Sequence, residues 1–222
     1  MYLKYVNKKD LEYLKEKYKS QIEHFLYKSD DCIYKNLLIY DFVSNSVGEK
    51  DKFIDCGAGP SALAWLLCDF FKDGYTIDVE VKNHFHKNNL HSNIGDFFSY
   101  MENHEDESIN YALDGCSITH FERNEKENTG LKKAADILYK KIKKNGYFVM
   151  ASDVISHLDS SCHNQTEYIK VKDMIKIYES KGFKMIGDFD YNSLDENFYI
   201  DIDYKGISKF KLTYCNLIFQ KI

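Results

Sequence analysis

A doubly wound α/β sheet is the fold that this 222-residue sequence predicts, on three observations. From residue 52 onward, short apolar runs alternate with amphipathic helical stretches, the pattern of strands joined by crossover helices. The densest cluster of small residues, Gly57-Ala58-Gly59-Pro60-Ser61-Ala62, lies where the first apolar run meets the first of those helices, and it holds the only proline of the chain. The last two apolar runs follow one another with no helix between them, so they are expected to pair antiparallel.

The N-terminal part is helical in pattern. Residues 8–27 place Leu11, Leu14, Tyr18, Ile22 and Phe25 at steps of three and four, which makes one apolar helix face. Asp30 or Asp31 can cap a second helix that runs through Ile33, Leu37, Tyr40 and Val43. Residues 1–48 thus form a helical segment ahead of a core at 49–222, within a single domain.

In the core, Lys52–Cys56 is the first strand, and residues 61–71 form a helix with Leu63, Leu66, Leu67 and Phe70 inward. Residues 75–79 are the second strand. A helix rich in His and Asn is expected next, then a short strand ending near Ile94, then a fourth strand at 108–113. Residues 131–144 form an amphipathic helix through Leu131, Ala135, Leu138 and Ile142, stopped by Gly146. Tyr147-Phe148-Val149-Met150-Ala151 is apolar throughout, as suits a strand buried on both faces. Residues 171–180 are a helix with Gly182 as its C-terminal cap, and 183–189 and 211–220 are the last strands. The sum is a seven-stranded sheet, mostly parallel, with an antiparallel C-terminal strand.

Composition narrows the function. Apolar residues make up 44% and aromatics 15%, enough to fold a core. The formal net charge is -5 and Arg123 is the only arginine. There is no basic surplus for a phosphate backbone and almost no guanidinium clamp, so a nucleic-acid substrate is not expected. The six cysteines are scattered without a C-x-x-C pair, which reads as reduced core cysteine in the cytoplasm, not a disulfide framework or zinc site. No signal peptide and no long apolar run is seen, so no membrane span is expected. The bias toward Lys, Asn, Ile, Tyr and Phe hints at an AT-rich bacterial genome.

Two kinds of nucleotide site could own the glycine turn. Gly57-x-Gly59-x-x-Ala62 fits the dinucleotide fingerprint, and Asp78 lies about 20 residues on, where an acid would hold a ribose hydroxyl. Asp55, two positions before Gly57, argues against a dinucleotide. A carboxylate there repels pyrophosphate and attracts a cationic amino-acid cofactor. Asp96 and Phe97 follow the third strand, an acid able to accept from an adenine amino group beside an aromatic able to lie on the ring. The antiparallel ending stands where a dinucleotide enzyme would carry a second, substrate domain.

With these residues the sequence over 50–222 resembles the class I S-adenosylmethionine-dependent methyltransferases, a family with a Rossmann-like fold. Phe53-Ile54-Asp55-Cys56-Gly57-Ala58-Gly59 resembles the family's glycine-rich first motif. Ile77-Asp78-Val79-Glu80 is similar to its ribose-binding strand end, and Gly95-Asp96-Phe97 to its adenine-binding segment. Ile109-Asn110-Tyr111-Ala112-Leu113-Asp114 through His120-Phe121 resembles its fourth strand and following loop. Lys144-Asn145-Gly146-Tyr147-Phe148-Val149 resembles the entry to its fifth strand, and Lys181-Gly182-Phe183 the turn before its sixth. The chain departs from the family at Ser61, Asn110 and Asn145, where Gly, Asp and Pro are common.

The resemblance implies S-adenosyl-L-methionine as cofactor. Asp55, Gly57, Ala58 and Gly59 would surround its methionine part, Asp78 its ribose with Glu80 as substitute, and Asp96 and Phe97 its adenine. Asp114, at the end of the fourth strand, could meet the methionine amino group or the substrate. Methyl transfer asks the protein mainly for alignment and for removal of a proton. His120, on the loop after the fourth strand, is the candidate general base, with Asp114 as a second catalytic candidate. Asp153, His157 and His163 follow the fifth strand and are candidates for contacting substrate. His84, His86 and His91 are spaced by two and five, which shares no helix face, so no metal site is expected.

The expected acceptor is a small molecule, methylated at oxygen, since no recognition domain and no Asn/Asp-Pro-Pro-Tyr-like motif is present. General resemblance suggests a sugar or phosphorus-containing metabolite of a bacterial surface-polysaccharide pathway. The N-terminal helices are expected to close over the site as a lid. The alternatives are an NAD-dependent oxidoreductase, a non-catalytic cofactor-binding protein of the same fold, and a protein or RNA methyltransferase that borrows its recognition surface from a partner.

Overall fold

The computed structural model describes residues 7–26, 29–59, 62–80, 85–121, 129–155, 160–163, 167–191, 200–204 and 208–222. Its strands are β1 (Lys52–Cys56), β2 (Asp73–Asp78), β3 (Leu90–Ile94), β4 (Ile109–Gly115), β5 (Ile142–Ile155), β6 (Ser160–His163), β7 (Glu167–Lys170), β8 (Phe183–Met185), β9 (Ile200–Tyr204) and β10 (Ser208–Lys221). Its helices are α1 (Lys8–Lys17), α2 (Lys19–Ile22), α3 (Asp30–Asn45), α4 (Leu63–Leu67), α5 (Phe97–Glu102), α6 (Thr129–Lys141) and α7 (Val171–Glu179).

Seven strands lie side by side in the order β3-β2-β1-β4-β5-β10-β8. The first five are mutually parallel. β10 runs antiparallel between β5 and β8, with Phe219 opposite Met185, so the expected antiparallel ending is present. This is the predicted doubly wound, Rossmann-like sheet.

Period-two alternation along the strands divides the core in two. Phe53, Tyr111, Leu113, Val149 and Ile218 face one side, where α1, α3 and α4 cover them. Ile54, Ala112, Phe148, Met150, Leu217 and Phe219 face the other, under α5, α6 and α7. The N-terminal helices are therefore half of the sheet's covering. Among the described residues, no helix is long and apolar enough to cross a membrane.

Several boundaries differ from expectation, each for a local reason. The helix expected over 8–27 breaks at Tyr18, whose dihedrals (φ -119, ψ 34) leave the helical region. Its hydroxyl bonds Asp41 on α3, which also takes Lys17 Nζ at 2.6 Å. Ser29 occupies the cap position of α3, while Asp30 pairs with Lys15 at 2.6 Å. The helix expected over 61–71 shortens to α4, leaving Phe70 38% exposed and burying Phe71 in its place. Described residues 85–89 hold no helix; residues 81–84, with His84, lie outside the described residues.

α6 ends at Lys141, and β5 begins at once. Asn145 turns the chain at φ 65, and Gly146 packs so closely that a Cβ there would stand 2.8 Å from the Asn110 carbonyl oxygen. Asn110 itself ties the start of the sheet, accepting from the Lys52 N–H at 3.0 Å. The sequence reading missed β6, β7 and β9. β5 and β10 each run 14 residues; β6 pairs with the end of β5 and β9 with the start of β10, and β7 pairs with β6.

Candidate functional site

β2 and β3 lie to one side of β1, and β4 and β5 to the other. The crevice outside the carboxyl ends of β1 and β4 is thus the point where strand order reverses, the usual ligand position in such sheets. The glycine turn sits there. Gly57 (φ +68) and Gly59 (φ +51) both adopt left-handed conformations that a side chain would strain. The Gly57 N–H donates to the Ile77 carbonyl at 2.7 Å, and the Gly59 N–H donates to Asp78 Oδ2 at 3.0 Å. Asp78 Oδ1 accepts from the Glu80 N–H at 3.0 Å. Asp78 therefore fastens the turn after β1 to the end of β2.

The loop after β4 closes on the same turn. Ser117 Oγ donates to the Gly57 carbonyl at 3.0 Å. Asp114 Oδ1 accepts from the N–H groups of Ser117 (2.6 Å) and Ile118 (3.2 Å) and so shapes that loop. Its Oδ2 is buried with no hydrogen-bond partner among the described residues.

A cavity of about 510 Å³ opens between these elements. Gly57, Asp78, Glu80, Asp96 and Phe97 line it, together with Phe98, Cys116, Ser117 and Phe121. Asp96 also caps α5, accepting from the Ser99 N–H at 2.8 Å and Oγ at 2.9 Å. The Phe97 ring packs 5.0 Å from that of Phe121. A second cavity of about 140 Å³ lies against the turn, lined by Asp55, Gly57, Ala58 and Gly115 from the sheet and by Phe25, Leu26, Lys35 and Asn36 from the N-terminal segment.

The site is strongly acidic. Asp55 and Asp114 are both buried, and burial is the main cause that pushes each carboxyl up to about 7. Neighbouring carboxylates add to it, Asp114 and Asp78 for Asp55, and Asp153 for Asp114. The two N–H donors and Lys35 oppose the shift at Asp114. Burial, with Asp153 next, likewise pushes the Cys116 thiol well above its usual range.

The structure thus gathers Asp55, Gly57, Ala58, Asp78, Glu80, Asp96 and Phe97 around two adjoining cavities. Gly59 braces the turn through Asp78, and Asp114 lies beneath it. Asp153 is buried at the end of β5, where its Oδ1 accepts from Cys116 Sγ at 3.1 Å. The backbone of His120 ends the short 3-10 turn Ile118–His120 after β4. His157 lies outside the described residues.

Sequence reasoning missed Cys116, Ser117, Phe98 and Lys35. Cys116 holds a left-handed φ of 81, for which the sequence carries no signal. Lys35 had one: with Asn36 it interrupts the apolar run Ile33-Tyr34 … Leu37-Leu38.

No protein-family model and no curated protein matches the sequence. Solved structures do match. A SAM-dependent methyltransferase from Methanosarcina mazei aligns at TM-score 0.53 and 13% identity, over 82% of this chain and 98% of its own. Phosphoethanolamine N-methyltransferase 2 of Haemonchus contortus, solved with S-adenosyl-L-methionine, aligns at TM-score 0.56 and 12% identity, over 85% of this chain and 52% of its own. A geranyl diphosphate methyltransferase solved with GPP and sinefungin aligns at TM-score 0.55 and 8% identity, over 85% of this chain and 77% of its own. The ordered strands, the turn after β1 and these alignments agree on one conclusion: the chain has the fold of the class I S-adenosylmethionine-dependent methyltransferases.

Proposed function

We propose that this chain transfers the methyl group of S-adenosyl-L-methionine to an oxygen of a small molecule. The observation that carries the reading is the convergence of Gly57, Asp78, Glu80, Asp96 and Phe97, from the ends of β1, β2 and β3, on a single cavity of about 510 Å³. The residues present fit the cofactor. The donor set is acidic, and Asp55 and Asp114 are buried carboxylates that a cationic ligand would help to ionise. A dinucleotide would instead bring its pyrophosphate against Asp55 and Asp78, which disfavours the NAD-dependent alternative.

In this reading Asp78 and Glu80 hold the ribose, Asp96 accepts from the adenine amino group, and Phe97 lies beside the ring. Asp55, Gly57, Ala58 and Gly59 surround the methionine end. The bound cofactor supplies an electrophilic methyl carbon on a sulfonium. The protein's own task is to align the acceptor oxygen opposite that sulfur and to take its proton, and we assign the proton to His120. Asp153 and His157 belong to the acceptor side, and Phe25 and Leu26 close the cavity from the N-terminal segment. Oxygen is assigned because no amide-reading proline motif follows β4.

Thermal melting with S-adenosylhomocysteine, run beside NAD, tests the reading. A ligand at about 100 times its dissociation constant adds roughly 2.7 kcal/mol, a shift of several degrees for a domain of this size. Stabilisation by S-adenosylhomocysteine alone is expected; stabilisation by NAD alone would overturn the assignment.

A further inference from the structure

We propose that a cavity of about 360 Å³ at the opposite edge of the sheet is a second ligand site, one that takes a small oxyanion, carboxylate or phosphate. It opens between the loop that joins α3 to β1 and the starts of β4 and β5. Along β4, about 13 Å of strand separates Asn110 in this cavity from Asp114 beneath the glycine turn. The site stands whether or not the first cavity holds a methyl donor.

Two of the chain's departures from the family pattern, Asn110 and Asn145, line this cavity together. Ile109 pairs with Ile142 and Tyr111 with Tyr147, so Asn110 alone stands opposite residues 143–146. Asn145 turns that bulge at φ 65, a conformation closed to proline, whose ring fixes φ near about −65°. Asn110 is only 5% exposed. Its Oδ1 is spent on the Lys52 N–H at 3.0 Å, and its Nδ2 has no acceptor among the described residues. Nδ2 is nevertheless not sealed from solvent, and this is the cavity that Asn110 lines. An aspartate at 110, common in the family, would present a negative charge to an entering anion; the amide presents N–H groups instead.

Two further donors flank it. Tyr147 Oη accepts from Gln220 Nε2 at 3.1 Å, and its own proton has no acceptor among the described residues. Lys144 is exposed at the rim, and no described carboxylate pairs with its ammonium. Glu49, the one acid among the described residues lining the cavity, is spent on Lys143 at 3.4 Å, and Asp51 holds the same ammonium at 3.1 Å. An amide, a phenol and an ammonium with protons to give, beside an acid that is already neutralised, favour an oxyanion. The volume exceeds that of a bare phosphate, so the group is carried by a small organic acid or phosphate ester.

Calorimetric titration of the full chain with succinate, inorganic phosphate and the neutral succinamide, at one ionic strength set by chloride, tests this. Succinate or phosphate should bind in a one-to-one ratio, the better of the two naming the oxyanion, and succinamide should not bind. Asn110→Asp keeps an oxygen for the Lys52 N–H and should fold, yet lose that anion by about tenfold or more, the scale of a charge-assisted hydrogen bond. Lys144→Gln should weaken it several-fold. Both variants should bind S-adenosylhomocysteine as the wild type does.

Binding of neither anion, equal binding of succinamide, or an Asn110→Asp chain that holds the anion as tightly as wild type overturns the site. Should Asn110→Asp fail to fold, the amide shifts of the wild type during the titration decide. Shifts centred on Gly48, Asn145 and Gly146 support the site, and shifts centred elsewhere overturn it. Failure of S-adenosylhomocysteine to bind would defeat the methyltransferase reading and leave the anion result standing.

Discussion

Gly57 and Ser117 are locked face to face. The serine hydroxyl donates to the glycine carbonyl at 3.0 Å, and a Cβ placed on Gly57 would stand 2.2 Å from the serine Cβ. The turn after β1 and the loop after β4 approach this closely only because one of them has no side chain. Gly57→Ala meets both the clash and a left-handed φ of +68. A loss of about 2–4 kcal/mol in urea unfolding is expected, with loss of S-adenosylhomocysteine binding. Stability within 0.5 kcal/mol of wild type (about the noise of a surface change) would show that the loop moves aside freely.

Asp78 has two duties that a substitution can separate. Its Oδ2 holds the Gly59 N–H and its Oδ1 the Glu80 N–H. Asp78→Asn keeps one acceptor oxygen and removes the charge. It should fold with a modest loss of about 1 kcal/mol while weakening S-adenosylhomocysteine tenfold or more, on the order of a charged hydrogen bond. Unchanged affinity, read by calorimetry, would move the ribose contact from Asp78 to Glu80.

The buried carboxyls of Asp55 and Asp114 set a pH dependence whose direction follows from proton counting. Both are raised from 3.8 to about 7 in the folded chain. Between those values the folded state keeps protons that the unfolded chain has released. Stability of the ligand-free protein therefore falls as pH rises through that window and levels off above it. Asp114→Asn retains an oxygen for the N–H groups of Ser117 and Ile118. It should match wild type at pH 4 and exceed it at pH 8, by an amount on the order of 2–4 kcal/mol. Urea unfolding at the two pH values checks this, and a variant weaker than wild type at pH 8 would mean that Asp114 is held ionised by a partner.

His120→Ala addresses the chemical step. Turnover should fall by about a hundredfold, the lower range for general-base removal, while S-adenosylhomocysteine affinity stays near that of wild type. Unchanged turnover in a single-turnover assay would remove His120 as the base.

What the sequence revealed and what it hid have a common cause. Asp55, Gly57, Asp78 and Asp96 were readable because each is tied to the end of a strand, and strand ends are marked by local apolar pattern and glycine. Cys116 meets Asp153 only because β4 and β5 are neighbours, with Gly115 opposite Ala151, a pairing that no local pattern encodes. Lys35 enters the site only through the way α3 lies across the sheet. The break at Tyr18 escaped notice for the same reason: helical spacing continued, but the hydroxyl found Asp41 on the next long helix. β6, β7 and β9 were missed because they are only four or five residues long and none pairs with the central strands: β6 joins the far end of β5, β7 joins only β6, and β9 joins the start of β10.

The position of β10 between β5 and β8 has a consequence for synthesis. Both of its neighbours leave the ribosome before it does. Until β10 arrives, β5 presents the apolar run Tyr147-Phe148-Val149-Met150-Ala151 along an open edge, and among the described residues β8 has no other strand to pair with. The nascent chain therefore passes through a stage in which this apolar strand has a bare edge, the kind of transient exposure that favours aggregation, and the arrival of β10 ends it.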